Sequence, residues 1–300
     1  MKGRREQRIF ILTFLAPALL LFTTFVAVPS LRALGYSLQK WDGLSTPEWV
    51  GLKNFADLFR DSDLFIVALG HNLFLMACGG TIILTLSLFF AAVLHRRIRG
   101  ASVFRVAFFF PNVISAVAIA LLWVLLYSTT DFGLVNSLLS WLKETFGWPR
   151  VDLPFPFVSS EVLIYSLIPM MVWTATGFYM VLFLAAMENI PETFYEAAKL
   201  DGATGPAQFR YITLPLIREV LTVGLVFLVI GSLKYFDAIW VMENQRPTRE
   251  SHVLATVLYQ KVFTEYNVGY GSAVAVLLFI LVFLATLLTL RLSRKEALEY

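Results

Sequence analysis

The sequence predicts an all-α membrane protein, six membrane-crossing helices with one charged interruption between the fourth and the fifth. Three observations predict it. The 300-residue chain is 58% hydrophobic and only 15% charged, with a mean hydropathy of +0.72; a soluble domain is nearer half apolar and a quarter charged. Six apolar runs each reach the roughly 20 residues a helix needs to cross the hydrocarbon core. Lys and Arg concentrate in alternate connections, the asymmetry that orients membrane proteins.

The spans are expected near residues 9–37, 66–94, 102–127, 161–186, 216–238 and 269–291 of a single 1–300 membrane domain. The first follows MKGRREQR, which resembles the start of a signal peptide. Its apolar run continues to about Val28 without a small-x-small cleavage site, so it reads as a retained span. The second runs into HRRIRG at 95–100, the clearest inside marker. With the N-terminus inside, 14 of the 24 basic and 8 of the 21 acidic residues fall inside, +6 net, leaving −3 outside. Lys2, Arg4, Arg5, Arg8, Arg96, Arg97, Arg99, Arg105, Arg294 and Lys295 are among the inside cations, and both termini are expected there. Outer connections 38–65 and 128–160 carry Trp41, Trp49, Trp141 and Trp148, placed as interfacial anchors. Pro17, Pro29, Gly79–Gly80, Pro111, Pro169, Gly177, Gly224 and Gly231 interrupt the spans. Such breaks are tolerated where neighbouring protein or a water-filled cavity satisfies the freed backbone, and their number points toward a transport pathway.

Several function classes drop out. A +3 net charge without a basic, aromatic-interleaved block argues against nucleic-acid binding. Cys78 is the only cysteine, so no intrachain disulfide forms. His71, His95 and His252 lie in separate segments without metal spacing. No HExxH, paired His/Asp set or Ser-Lys dyad suggests an enzyme, and no phosphate-cradling GxxxxGK[ST] loop is present.

The polar interruption, 187–215, holds EAAKLDGATGPAQFRYITLPLI from 196 to 217. NIPETFYEAAKLDGA reads as a short helix capped by Asn189, with Pro191 in its first turn and Glu192 at its positive end. Gly202 suits a left-handed C-terminal cap. A second start follows, with Thr204 as cap and Pro206 in the first turn, and Leu214–Pro215 leads into the fifth span. Phe194, Ala197, Ala198 and Asp201 share one face of the first helix, bordered by Tyr195. Small alanines beside Glu196 and Lys199 favour docking to a cytosolic protein over resting on lipid.

EAA at 196–198, then Gly202, then ITLPL at 212–216, resembles the signature of permease subunits of binding-protein-dependent ATP-binding-cassette (ABC) importers. IPETFYEAAKLDGATGPAQFRYITLPLI resembles their carbohydrate branch, as do VGLKNF at 50–55, RVAFFFPNVIS at 105–115, YFDAIWVM at 235–242 and GYGSAVAV at 269–276. The resemblance implies a six-helix permease in a bacterial or archaeal cytoplasmic membrane, forming half of a sugar pathway. The implied partners are a homologous second permease, a dimer of cytosolic ATPases that bind ATP and Mg, and an extracytoplasmic sugar-binding protein. This chain would bind no cofactor. It implies that Tyr195, Glu196, Ala197, Ala198, Asp201, Gly202, Leu214 and Pro215 form the coupling element on the ATPase. Sugar contacts are suggested on the fourth and fifth spans: Ala175 and Phe178, and Ser232 with Tyr235. Helix packing is the alternative there, with Ser232 bonding its own i−4 carbonyl. A polyol or glycerol phosphate is the alternative solute; Lys234, with Asp237 one helical turn away as a possible partner, is the one cation within the spans that could meet a phosphate. The sequence departs from the family at ENQRP, 243–247, where Gln245 and Arg246 stand in place of a glycine pair.

Overall fold

The computed structural model describes residues 2–60, 63–96, 98–130, 132–148 and 151–293. Its regular elements are helices apart from one antiparallel hairpin, in which Gln39 stands opposite Trp49 and Lys40 opposite Glu48. The chain divides into two compact units, Met1–Asp63 with Val257–Phe279, and Leu64–Thr256 with Ile280–Tyr300. Among the described residues five helices are long and apolar enough to cross a membrane: Phe10–Tyr36, Leu64–His95, Ser160–Glu188, Arg218–Met242 and Val268–Ser293. Each lies within a few residues of an expected span. Arg97, Arg294 and Lys295, and the side chains of Lys2, Arg4, Arg5 and Arg8, lie outside the described residues.

The expected span 102–127 is not one straight helix. Ala101–Val113 and Ala116–Leu126 meet at 98°. Ile114 (φ −75°, ψ 143°) and Ser115 (φ −54°, ψ 134°) are extended between them. Pro111, inside the first piece, has no N–H to hold the preceding turn. Counted as one broken span, the pair brings the total to six.

In the first unit, helix Phe10–Tyr36 runs through Pro17 and Pro29, with a wide π turn at Thr23–Ala27. The connection after it is folded. Asp42 Oδ1 accepts from the Leu44 and Ser45 backbone N–H groups (2.9 and 2.7 Å) and from the Ser45 hydroxyl (2.8 Å). These donors hold its carboxyl down at about 2. The Trp41 indole N–H donates to Ser45 O (2.7 Å), and its ring packs 4.5 Å from Tyr36. Helix Lys53–Arg60 follows, and buried Asn54 donates to Ser37 O (2.8 Å) and Gln39 O (2.9 Å), pinning helix to hairpin.

The second unit holds the apolar core, where Leu75, Leu163, Met180, Phe183 and Met187 are fully buried. Its long helix Ser160–Glu188 runs unbroken through Pro169 and Gly177, so neither interrupts it. A Cβ at Gly177 would stand 1.9 Å from Phe108 O, so only a glycine lets the third and fourth spans approach this closely. The Ser87 hydroxyl donates to Thr176 O (2.9 Å), joining the second and fourth spans. The connection 128–160 contains helix Leu134–Phe146, whose buried Asn136 donates to Ser128 O (3.0 Å) and Phe155 O (3.1 Å) and accepts from Phe155 N–H (2.7 Å). Trp49, Trp141 and Trp148 are exposed; Trp41 is half-buried.

Candidate functional site

The coupling stretch forms helix Glu192–Leu200 with Pro191 at its cap position. Asn189 does not cap it. The fourth span runs on to Glu188, two residues past the expected end, and Asn189 closes that helix instead. The short helix ends in a Schellman turn, with Gly202 N–H donating to Lys199 O (3.0 Å) and Ala203 N–H to Ala198 O (2.8 Å). Gly202 has φ +79° and no neighbour within 4 Å of an added Cβ, so backbone conformation alone demands glycine there. Thr204 then occupies the cap position of Gly205–Gln208, with Pro206 in the first turn. A π turn, Phe209–Thr213, leads through Leu214–Leu216 to the fifth span at Arg218.

Glu196, Ala197, Asp201, Gly202 and Pro215 are exposed, while Ala198 and Leu214 are half-buried. Leu200, not singled out in the sequence, is 90% exposed at the tip of this surface. Tyr195 points the other way. Its hydroxyl is hydrogen-bonded to that of buried Thr213 (2.9 Å), and its ring lies 5.6 Å from His95. Tyr195 therefore ties the short helix to the foot of the fifth span and to the end of the second. Beneath the helix lies a cavity of about 880 Å³ lined by His95, Arg96, Glu188, Glu192 and Lys199 among others.

A second cavity, about 270 Å³, lies among the spans. Ala175, Ser232 and Tyr235 line it, as do Asn112, Thr174, Tyr179 and Asp237. Phe178 does not; its ring is taken up by packing at 5.2 Å from Tyr179 and 6.1 Å from Phe227. Ser232 is buried, and its hydroxyl makes no bond to the i−4 carbonyl. Tyr235 is not on the helix of Ser232. That helix ends at Leu233, and a new one starts at Asp237. The same interruption means that Lys234 and Asp237 are not one helical turn apart, and they form no ion pair.

Two broken spans thus meet at one cavity. The bend in the third brings Asn112 and Ala116, and the break in the fifth brings Tyr235, Phe236 and Asp237. Buried Asn72 holds the second break open: its amide N–H donates to Ser232 O (2.7 Å), and its Oδ1 accepts from Leu254 N–H (2.9 Å). Asn72 and Asn112 were legible as polar residues in apolar spans, which are functional candidates by default. Nothing in the local pattern marks Thr174. Among the described residues no cluster of His, Cys, Asp or Glu is placed to hold a metal.

At 243–247 the departure from the expected glycines is accommodated without them. Asn244 (φ 50°) and Gln245 (φ 65°) both take the left-handed conformation. Gln245 N–H donates to Trp240 O (2.8 Å) and Asn244 N–H to Val241 O (3.1 Å), closing the helix Asp237–Met242.

Residues 83–297 match the family described as binding-protein-dependent transport system inner membrane component. The diacetylchitobiose uptake system permease protein NgcF of Streptomyces coelicolor is 32% identical, covering 90% of this chain and 78% of the relative. The osmoprotective compounds uptake permease protein GgtC of Synechocystis is 33% identical, over 90% and 93%. The fold is similar to that of a chain in the crystal structure of a bacterial ABC transporter involved in the import of the acidic polysaccharide alginate. That match has a TM-score of 0.81 and 25% identity, and covers 97% of both chains. The all-helical fold with its two broken spans, the exposed helix-turn-helix at 192–216 and these matches agree, and the chain belongs to the binding-protein-dependent ABC transporter permeases, the membrane-spanning, non-catalytic subunits of those systems.

Proposed function

We propose that the chain forms half of the membrane pathway of an ATP-driven carbohydrate importer and that loop 187–215 carries closure of a cytosolic ATPase dimer into the spans. One observation carries the reading. The exposed helix Glu192–Leu200 is hydrogen-bonded through Tyr195 to Thr213, just before the fifth span, and the far end of that span supplies Ser232 and Tyr235 to the cavity. A push on the short helix therefore reaches the cavity wall through helix Arg218–Leu233, which brings Ser232 to it. ATP and Mg belong to the ATPase partners, whose closure biases a two-state bundle through differential contacts. A homologous permease completes the pathway, and an extracytoplasmic binding protein delivers the solute. Both termini and the loop 187–215 are cytoplasmic, as the basic asymmetry suggests.

The solute reading rests on the chemistry of the cavity wall. Asn112, Thr174, Ser232 and Tyr235 offer neutral hydrogen-bonding groups, Tyr179 and Tyr235 offer ring faces, and neither Lys nor Arg lines the space. A sugar suits this wall better than a phosphorylated solute, which calls for cationic donors. Relatives named for diacetylchitobiose and for starch degradation products support the carbohydrate class. The test is Tyr235→Ala in vesicles reconstituted with both permeases, the ATPases and the binding protein. Uptake should slow while ATPase activity stimulated by loaded binding protein is largely kept. Equal loss of both would place Tyr235 in packing or coupling instead.

A further inference from the structure

We propose that the first unit carries a saccharide-binding cleft of its own, built on Trp41, Tyr266 and Tyr270; the inference rests on the carbohydrate reading above. The cleft has a volume of about 600 Å³, lies between the hairpin, helix Lys53–Arg60 and the turn at Glu265–Tyr270, and shares no residue with the cavity among the spans. It falls within the roughly 300–1,000 Å³ typical of small-ligand sites.

Tyr266 is the telling residue. It follows the helical segment ending at Thr264, at a position where the chain reverses with φ 53°. Glycine or asparagine ordinarily takes that position, because an L side chain is crowded there. Tyr266 is 63% exposed and lines the cleft, and its side chain makes no hydrogen bond or ring–ring contact among the described residues. A bulky residue in this conformation, largely exposed and stacked on no other ring among the described residues, points to a role outside the fold.

The rest of the wall has sugar-binding chemistry. Trp41 is a fixed platform, its N–H held by Ser45 O and its ring by Tyr36. Tyr270 has the Lys261 ammonium 5.4 Å from its ring centre. Asp57 and Lys53 also line the space, giving carboxylate and ammonium groups for hydroxyls, while the Asn54 N–H groups are committed to Ser37 O and Gln39 O. A bare cation is a poor fit. The Asp42 carboxylate is committed to its own turn and that of Glu265 to Lys261 (2.6 Å), and lysines stand among the remaining acids. Aromatic faces interleaved with mixed polar groups suit a neutral oligosaccharide.

The experiment uses the complex of this chain with its partner permease and ATPases in lipid nanodiscs, equilibrated with radiolabelled maltotriose, xylotriose and triacetylchitotriose. At least one probe should bind in two classes of site. Trp41→Ala and Tyr266→Gly should each weaken one class by about tenfold or more, and Tyr235→Ala should weaken the other. Tyr266→Gly should also keep or raise the unfolding temperature, because glycine accepts the left-handed turn. Unchanged binding in both cleft variants would overturn the proposal while leaving the carbohydrate reading intact. So would a lower unfolding temperature in Tyr266→Gly, which would make the ring structural. Intact saccharide binding with lost stimulation by loaded binding protein would make the cleft a protein-docking surface and overturn the proposal. If no probe binds any form, the carbohydrate reading falls, and this inference with it.

Discussion

Asn72 has no exposed surface, and its one amide serves both a carbonyl at the end of the fifth span and an N–H of the following connection. Alanine there leaves buried backbone groups without partners, each costing roughly 1–3 kcal/mol. Asn72→Ala should therefore lower stability by about 2 kcal/mol or more, read as a fall in the detergent unfolding midpoint. Asn72→Asp should rescue little, since a carboxylate accepts but cannot donate to Ser232 O. Gly202 makes a different case. Its surroundings are open, so the penalty for a side chain comes from φ +79° alone. Gly202→Val should cost about 1–2 kcal/mol locally and misalign the short helix. Membrane insertion should be intact and reconstituted uptake lost; normal uptake would sink the coupling role.

Elements differ in how far the sequence discloses them. The long spans were legible because about 20 apolar residues in a row admit few other folds. The helix, glycine turn and second helix at 192–208 were legible because Gly202, Thr204 and Pro206 each act through local backbone chemistry. What escaped depends on contacts distant in sequence. The cap at Asn189 was lost to a longer fourth span, a choice settled by packing. The end of the helix at Leu233 carries no proline, and the amide that satisfies its carbonyls comes from Asn72, 160 residues away. Tyr235 therefore lies on the expected span but past its break, not at i, i+3 on the helix of Ser232, and it still lines the cavity. Close helix approach is equally hidden: the sequence pattern makes Gly177 a break, whereas in the structure it is a contact point. Gly177→Ala would drive a methyl into Phe108 O. It should cost about 1–3 kcal/mol by overpacking, seen as a lower unfolding midpoint; an unchanged midpoint would show that the two helices part freely.

At the scale of the whole chain, the basic asymmetry makes a topological prediction. A reporter active only in the cytoplasm should be active when fused after Arg99 or Gly202 and silent near Gly147. Activity at Gly147 would overturn the six-span arrangement. Helix Phe10–Tyr36 bears on a different quantity. Among the described residues, none in its most apolar stretch is buried. Whatever covers that stretch, lipid or subunit, enters the free energy of the folded state by mass action. An unfolding temperature for this chain is therefore defined only at a stated lipid-to-protein ratio and protein concentration, and dilution into excess detergent should lower it without any change of sequence.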